Sequence, residues 1–276
     1  MYFVTRELKK NKDLREVILN NIKFKQYSFS NKEKHYENNK ANPMVLGSAY
    51  EIVLQIEKLR KEKNPYEIRN LKFNRGINVI MGIDPSLVNK DVKKKLKRWI
   101  NKYNENLRIL VKYIEGKNIK EKKLAEAILF LNFISLFREY KNVFYFEEKY
   151  TKQDIKEVAE FLKDFKKKFM KKIFKKEDFI RFNYLVSKGY LSGEIDILTD
   201  TYIYDIKTTA YPDFTKDMIL QLVLYYVLLK RQGIKIEKGG IIFSKFKHIE
   251  YIDYNKLFKK KGLKKIEDFL ENKYRI

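Results

Sequence analysis

The apolar spacing of this chain changes period, and the change limits which folds are open to it. From about residue 151 to 176, Ile155, Val158, Leu162, Phe165, Phe169 and Ile173 form one stripe at helical spacing. Thr151 and Asp154 stand ahead of them at the spacing of a capping box. From residue 179 the interval becomes two. "FIRFNYLVSKG", "SGEIDIL" and "TYIYDIKTT" read as three consecutive strands joined by short turns, a β-meander. A helix from about Asp213 to Lys230, the strands "GGIIFSKF" and "HIEYIDY", and a lysine-rich terminal helix follow.

Upstream, everything reads as helix. Residues 5–22 form the first, and the polar junction "QYSFSNKEKHYENN" leads to a second from about Pro43 to Arg60, with Leu46, Tyr50, Val53, Leu54 and Leu59 near one face. Asp91 to Tyr113 and Lys120 to Tyr140 are also helical in spacing, the latter apolar enough to lie in a core. The expected fold is α+β (α/β): a central mixed β-sheet flanked by helices, with a large helical region inserted at about 86–178. No glycine/serine linker divides the 276 residues, so one domain over 1–276 is expected.

Composition removes several chemistries. The absence of cysteine excludes disulfides, thiolate zinc sites, iron–sulfur clusters and cysteine nucleophiles, and it suits an intracellular protein. "MYFVTRELKK" lacks the apolar run of a signal peptide, and the apolar runs elsewhere fall short of the ~20 residues a membrane span needs, so no membrane association is expected. His35 and His248 have no companions in a metal-ligand spacing, and Trp99 reads as packing. The commonest meaning of a formal charge of +25 is a polyanionic partner contacted through its phosphates; a general lysine bias with solvated helix faces is the alternative.

Against that excess of positive charge, the stretch "GEIDILTDTYIYDIKT" sets acids on strands. If Asp200 and Thr201 make a two-residue turn, facing residues sum to 401, so Asp196 lies across from Asp205 and Glu194 across from Lys207. All four then share a face, and Ile195, Ile197, Tyr204 and Ile206 take the opposite, core-side one. Glu194 with Lys207 is favourable. Asp196 facing Asp205 is a like-charge pair that weakens the sheet, and removing either carboxylate is expected to leave stability equal or higher. A divalent cation offsets such a pair, because Mg²⁺ takes hard oxygen ligands from one or two carboxylates and keeps water positions for a substrate phosphate. Asp-x-Lys alone carries little, since Asp91/Lys93, Asp154/Lys156 and Asp164/Lys166 share it on helices. Context distinguishes 205–207: an acidic partner strand, then a helix with Gln221 and Tyr225 at i and i+4, and upstream "LGSAYE", where Gly47 and Glu51 repeat that interval.

Taken in order, "GSAYE", "GEID", "DIKTT" and "QLVLYY" resemble the PD-(D/E)XK nuclease superfamily with its restriction-endonuclease-like core, in the RecB-like and phage recombination exonuclease branch of RecE-type and lambda-exonuclease-like enzymes. The resemblance covers about residues 28–57 and 181–245. It implies that Asp196, Asp205 and the Ile206 carbonyl hold Mg²⁺, with Mn²⁺ able to substitute, and that Lys207 orients or activates the attacking water. Glu51 stands where many relatives carry histidine and lambda-type enzymes a glutamate, so it would hold the metal directly or through water. Gly47, Glu194, Gln221 and Tyr225 would support the site and the DNA strand. The implied activity is a Mg²⁺-dependent deoxyribonuclease, an exonuclease that processes DNA ends for recombination or repair. The implied partners are DNA, a homo-oligomeric ring around it, and a single-strand annealing protein. A structure-specific endonuclease or single-strand exonuclease on the same fold, and a non-catalytic DNA-binding module, are the alternatives.

The residues suit that chemistry. Phosphodiester hydrolysis needs a nucleophilic water, neutralised charge on the phosphate and a stabilised leaving oxygen. Lys207, set among acids, would stay charged and act electrostatically, or else deprotonate water. The lysines from Lys163 to Lys176, with Lys167, Lys168, Lys171 and Lys172 among them, read equally as a DNA contact or as a plain solvated face.

Overall fold

The computed structural model describes residues 2–23, 43–71, 73–138, 148, 150–165, 180–208, 214–246 and 248–276. The polar junction after residue 23, the lysines from 166 to 176 and the segment 209–213 lie outside them. The chain divides into two compact units, Met1–Tyr36 with Met170–Ile276, and Glu37–Phe169. The fold is α+β, with a mixed sheet flanked by helices. Among the described residues no helix is long and apolar enough to cross a membrane.

The first unit holds the sheet. Its strands are β1 (Tyr2–Phe3), β2 (Ile180–Lys188), β3 (Leu191–Thr199), β4 (Tyr202–Lys207), β5 (Lys238–Phe243) and β6 (His248–Asp253). β2, β3 and β4 are the expected antiparallel meander, β5 joins β4 in parallel, and β6 closes antiparallel to β5. The β4–β5 crossover is helix α8 (Lys216–Arg231), capped by the Thr215 hydroxyl accepting from Met218 N–H. Leu198, Ile203, Ile241 and Phe243 pack with the apolar residues of α8 in one core.

Strand alternation places the core on the side of Ile195, Ile197, Tyr204 and Ile206. Ile195, Ile197 and Tyr204 are indeed buried, with Ile206 half-buried, but Leu198 and Ile203 at the alternate positions are buried as well. Both faces of the sheet are therefore covered here, as expected where a parallel pair carries a crossover helix. The helix expected over 5–22 is two: α1 (Val4–Lys10) and α2 (Lys12–Asn21), broken at Asn11. Asn11 is extended, its carboxamide oxygen accepts from Leu14 N–H at 3.1 Å, and its amide donates to the Tyr274 hydroxyl at 2.9 Å. That side chain does more as a cap than it would inside a helix.

The second unit is helical. It comprises α3 (Pro43–Glu62), α4 (Phe73–Met81), α5 (Lys90–Ile114), α6 (Glu121–Ser135) and α7 (Lys152–Asp164). All five apolar residues expected on one face of α3 are buried, and Ile52 and Ile56 are too. The capping box of α7 forms as expected: Thr151 Oγ1 accepts from Asp154 N–H at 3.2 Å and Asp154 Oδ2 accepts from Thr151 N–H at 2.7 Å. Trp99 packs against Phe133 and Phe137, in keeping with a packing role.

Candidate active site

Residues 200 and 201 connect β3 to β4, and the turn is tied by Thr199, whose hydroxyl accepts from Tyr202 N–H at 2.9 Å. Ile197 faces Tyr204 and Leu198 faces Ile203, which is the register that sums to 401. The pairing stops there. β2 lines one edge of β3 along its length, while on the other edge β1 pairs at Leu191–Ser192 and β4 at Ile197–Leu198. Residues 193–196 are thus left with a strand on one side only, and β4 follows β5 through all six of its residues.

Into that fork goes the Asp196 side chain. Its Oδ2 accepts from the backbone N–H of Ile206 at 2.7 Å, replacing a ladder bond with a charge-assisted one. Carboxylate and peptide occupy the place where two opposed aspartates would have stood. Asp205 turns instead to Lys207 and α8. Its Oδ1 accepts from Gln221 Nε2 at 3.0 Å, and its Oδ2 faces the Lys207 ammonium at 2.5 Å, out of hydrogen-bond alignment. Asp205 is 3% exposed, so this charge is held in a site where its interactions are weakly screened.

Gln221 is the junction of the cluster. Nε2 also donates to the Tyr225 hydroxyl at 2.8 Å, while Oε1 accepts from Lys207 Nζ at 3.3 Å. A carboxylate and an ammonium on its two ends leave one orientation of the amide satisfied. The i, i+4 spacing on α8 sets Gln221 and Tyr225 on one face, and the i, i+2 spacing on β4 does the same for Asp205 and Lys207. Burial pushes the Tyr225 hydroxyl well above its ordinary pKa, and the charges of Asp205, Asp196 and Glu194 push it further. Those three acids therefore share the surroundings of one phenol.

Two supports escaped the sequence reading. A Cβ on Gly193 would stand 2.4 Å from Cε1 of Tyr225, so only glycine lets that ring reach its place. Ser244, buried just past β5, donates its hydroxyl to the Lys207 carbonyl at 3.1 Å and fixes the end of β4. Serine after a strand carries no signal of its own; the glycine of "GEID" could have been suspected, since an isolated glycine in a strand marks close approach.

Asp196, Asp205, Ile206, Lys207, Gln221, Tyr225 and Glu194 come together in the first unit. Gly47 and Glu51 lie one turn apart on α3 in the second unit, both half-buried. Among the described residues no group of three or more His, Cys, Asp or Glu side chains is arranged to hold a metal ion. Two carboxylates and a backbone carbonyl do fit the oxygen-rich, partly hydrated shell that Mg²⁺ prefers, and Asp205 Oδ2 already faces one cation, the Lys207 ammonium. Compared with protein-family models, with curated proteins and with solved structures, the chain matches none.

Proposed function

We propose that this protein is a Mg²⁺-dependent deoxyribonuclease that hydrolyses phosphodiester bonds at DNA ends, with Asp196, Asp205 and Lys207 at its centre and DNA recombination or repair as its setting. One observation carries the reading: at the fork between β3 and β4, two carboxylates and an ammonium are gathered and individually held, Asp196 by the Ile206 amide and Asp205 by Lys207 and Gln221. A plain solvated pair needs no such scaffold. Mg²⁺ bound to the two carboxylates would supply an acidified water and neutralise charge on the phosphate. Lys207, held at its ammonium by Asp205 and Gln221 and at its carbonyl by Ser244, positions a positive charge beside the reacting phosphate. Gln221 keeps acid and base in register, and the +25 charge of the chain draws the polyanion in.

Glu51, Gly47, a homo-oligomeric ring and a single-strand annealing partner belong to the same reading through the resemblance of "GSAYE", "GEID", "DIKTT" and "QLVLYY". The test is digestion of end-labelled linear duplex and of nicked circular DNA with Mg²⁺, with and without chelator. Metal-dependent release of nucleotides from the linear duplex alone is the expected result. Cleavage of the circle would replace the exonuclease by an endonuclease, and DNA binding with no hydrolysis in either would remove the enzyme.

A further inference from the structure

Helix α5 begins with an unusual density of positive charge. Lys90, Lys93, Lys94, Lys97 and Arg98 are all exposed, and among the described residues none of them makes an ion pair or a side-chain hydrogen bond. At 100° per residue they fall within an arc of about 140°, opposite the face that buries Leu96, Trp99, Tyr103 and Leu110. Asp91 is the one acid in the segment. Lys90 and Lys93 stand in the first turn, at the positive end of the helix dipole, where cations disfavour the helix. Packing of the buried face, and the Asn89 side chain accepting from Val92 N–H at 3.0 Å, hold the turn in place regardless.

Other lysine-rich segments do not present charge in this way. Described residues of α7 carry three lysines against four acids, and Lys122, Lys152, Lys156 and Lys163 share a cleft of about 550 Å³ with Glu121, Glu126 and Glu160. Near the C-terminus, Lys256 pairs with Asp253 at 3.9 Å, Lys264 with Asp268 at 3.5 Å, and Lys259 donates to the Asn20 carbonyl at 2.9 Å. Among these three, the start of α5 offers a row of five exposed cations that make no ion pair among the described residues, with Asp91 the one acid beside them.

We infer that the exposed face of α5 from Lys90 to Arg98 is a contact surface for the phosphate backbone of duplex DNA. The eight helical steps from Lys90 to Arg98 rise about 12 Å, the axial span of roughly three to four nucleotide steps on one strand. The choice of DNA as the polyanion rests on the nuclease reading; the surface itself rests on exposure and the lack of acidic partners. Nothing in its chemistry selects sequence, so the contact is to backbone and independent of base order.

The test measures binding in chelator, where no hydrolysis occurs, using a labelled duplex over a range of salt. Lys90→Gln, Lys93→Gln, Lys94→Gln, Lys97→Gln and Arg98→Gln combined should weaken binding at least tenfold and flatten the plot of log K against log salt by about 3–4, at about 0.9 per lost phosphate contact. The same change of charge in Lys256→Gln, Lys259→Gln, Lys260→Gln, Lys264→Gln and Lys265→Gln should lower the slope by less than about 1. Should the first variant fold poorly, Lys93→Gln with Lys97→Gln gives the same reading at a slope change of about 1.8. An unchanged slope in the α5 variants, or an equal change in both sets, overturns the inference. Retained duplex binding with lost binding to phosphatidylserine vesicles overturns it in favour of a membrane surface. A wild type that binds but never hydrolyses DNA removes the nuclease reading and leaves this surface standing.

Discussion

The Asp196 carboxylate accepts the amide proton of Ile206 at 2.7 Å, one residue past the position where the strand register would set it against Asp205. The like-charge opposition expected from the register is thereby dissolved: each carboxylate has its own partner, Asp196 a peptide and Asp205 an ammonium and an amide. The sign of the stability prediction reverses with it.

Asp205→Ala is expected to lower stability by about 1–3 kcal/mol, because one N–H of Gln221 Nε2 loses its acceptor and Lys207 its charge partner. Asp205→Asn keeps an acceptor for Gln221 and should lose less. Chemical denaturation of the three proteins checks the order.

Asp196 separates structure from chemistry. Asp196→Ala leaves the Ile206 N–H unpaired at a cost of about 1–2 kcal/mol, whereas Asp196→Asn restores an acceptor and should stay within about 0.5 kcal/mol of wild type. Neither should support Mg²⁺-dependent hydrolysis. Amide exchange at Ile206 reports the bond directly: protection falls in the alanine variant and persists in the asparagine one. Equal protection in both would mean that the Asp196 side chain does not hold the strand.

Gln221→Leu should cut turnover by orders of magnitude with little change in DNA affinity, since it removes the group that aligns Lys207 with Asp205. Lys207→Ala should do the same, one lysine being a small part of binding among 61 basic residues. Tyr225→Phe removes only an acceptor and should be mild. Gly193→Ala, far from mild, drives a methyl into the Tyr225 ring and should cost about 1–3 kcal/mol. A Gln221→Leu protein that turned over normally would reduce Gln221 to packing.

Buried phenols set the alkaline limit. Burial raises the pKa of Tyr103 to about 12 and that of Tyr225, Tyr113 and Tyr150 further still, and it holds that of Tyr254 well above its ordinary value. A group whose folded pKa lies above its unfolded value of 10.0 stabilises the fold fully below that value, and the contribution is lost as pH rises through the folded pKa. Melting temperature should therefore decline from about pH 10 upward, with phenolate absorbance of these tyrosines appearing together with unfolding. Phenolate formation complete near pH 10 in a still-folded protein would contradict their burial.

Much of the site was legible because it depends on short-range periodicity. The alternation that puts Asp205 and Lys207 together, the two-residue connection at 200–201 and the i, i+4 pair Gln221 and Tyr225 are local facts of spacing. What could not be read depends on distant backbone. At the fork β4 leaves β3 while keeping its full pairing with β5 on its other edge, and β5 lies some thirty residues away in the chain, so local alternation carries no trace of it. Helix α4 went unread although Phe73, Gly76, Ile77 and Ile80 carry its period. Gly76 lowers intrinsic helix propensity, and its use appears only in contact with α6, where a Cβ would stand 1.9 Å from the Ile134 carbonyl oxygen. Asn11 likewise continues a helical pattern until its capping bond and its partner Tyr274 are seen.

The central claim is that the carboxylates at the fork make this chain a metal-dependent nuclease, and the most direct measurement compares purified wild type with Asp205→Asn on end-labelled linear duplex in excess Mg²⁺, both proteins first shown to be folded. Nucleotide release by wild type, abolished by chelator, restored by added Mg²⁺ and absent in Asp205→Asn is the result the account predicts. Hydrolysis by Asp205→Asn at the wild-type rate, under the same Mg²⁺, would contradict it.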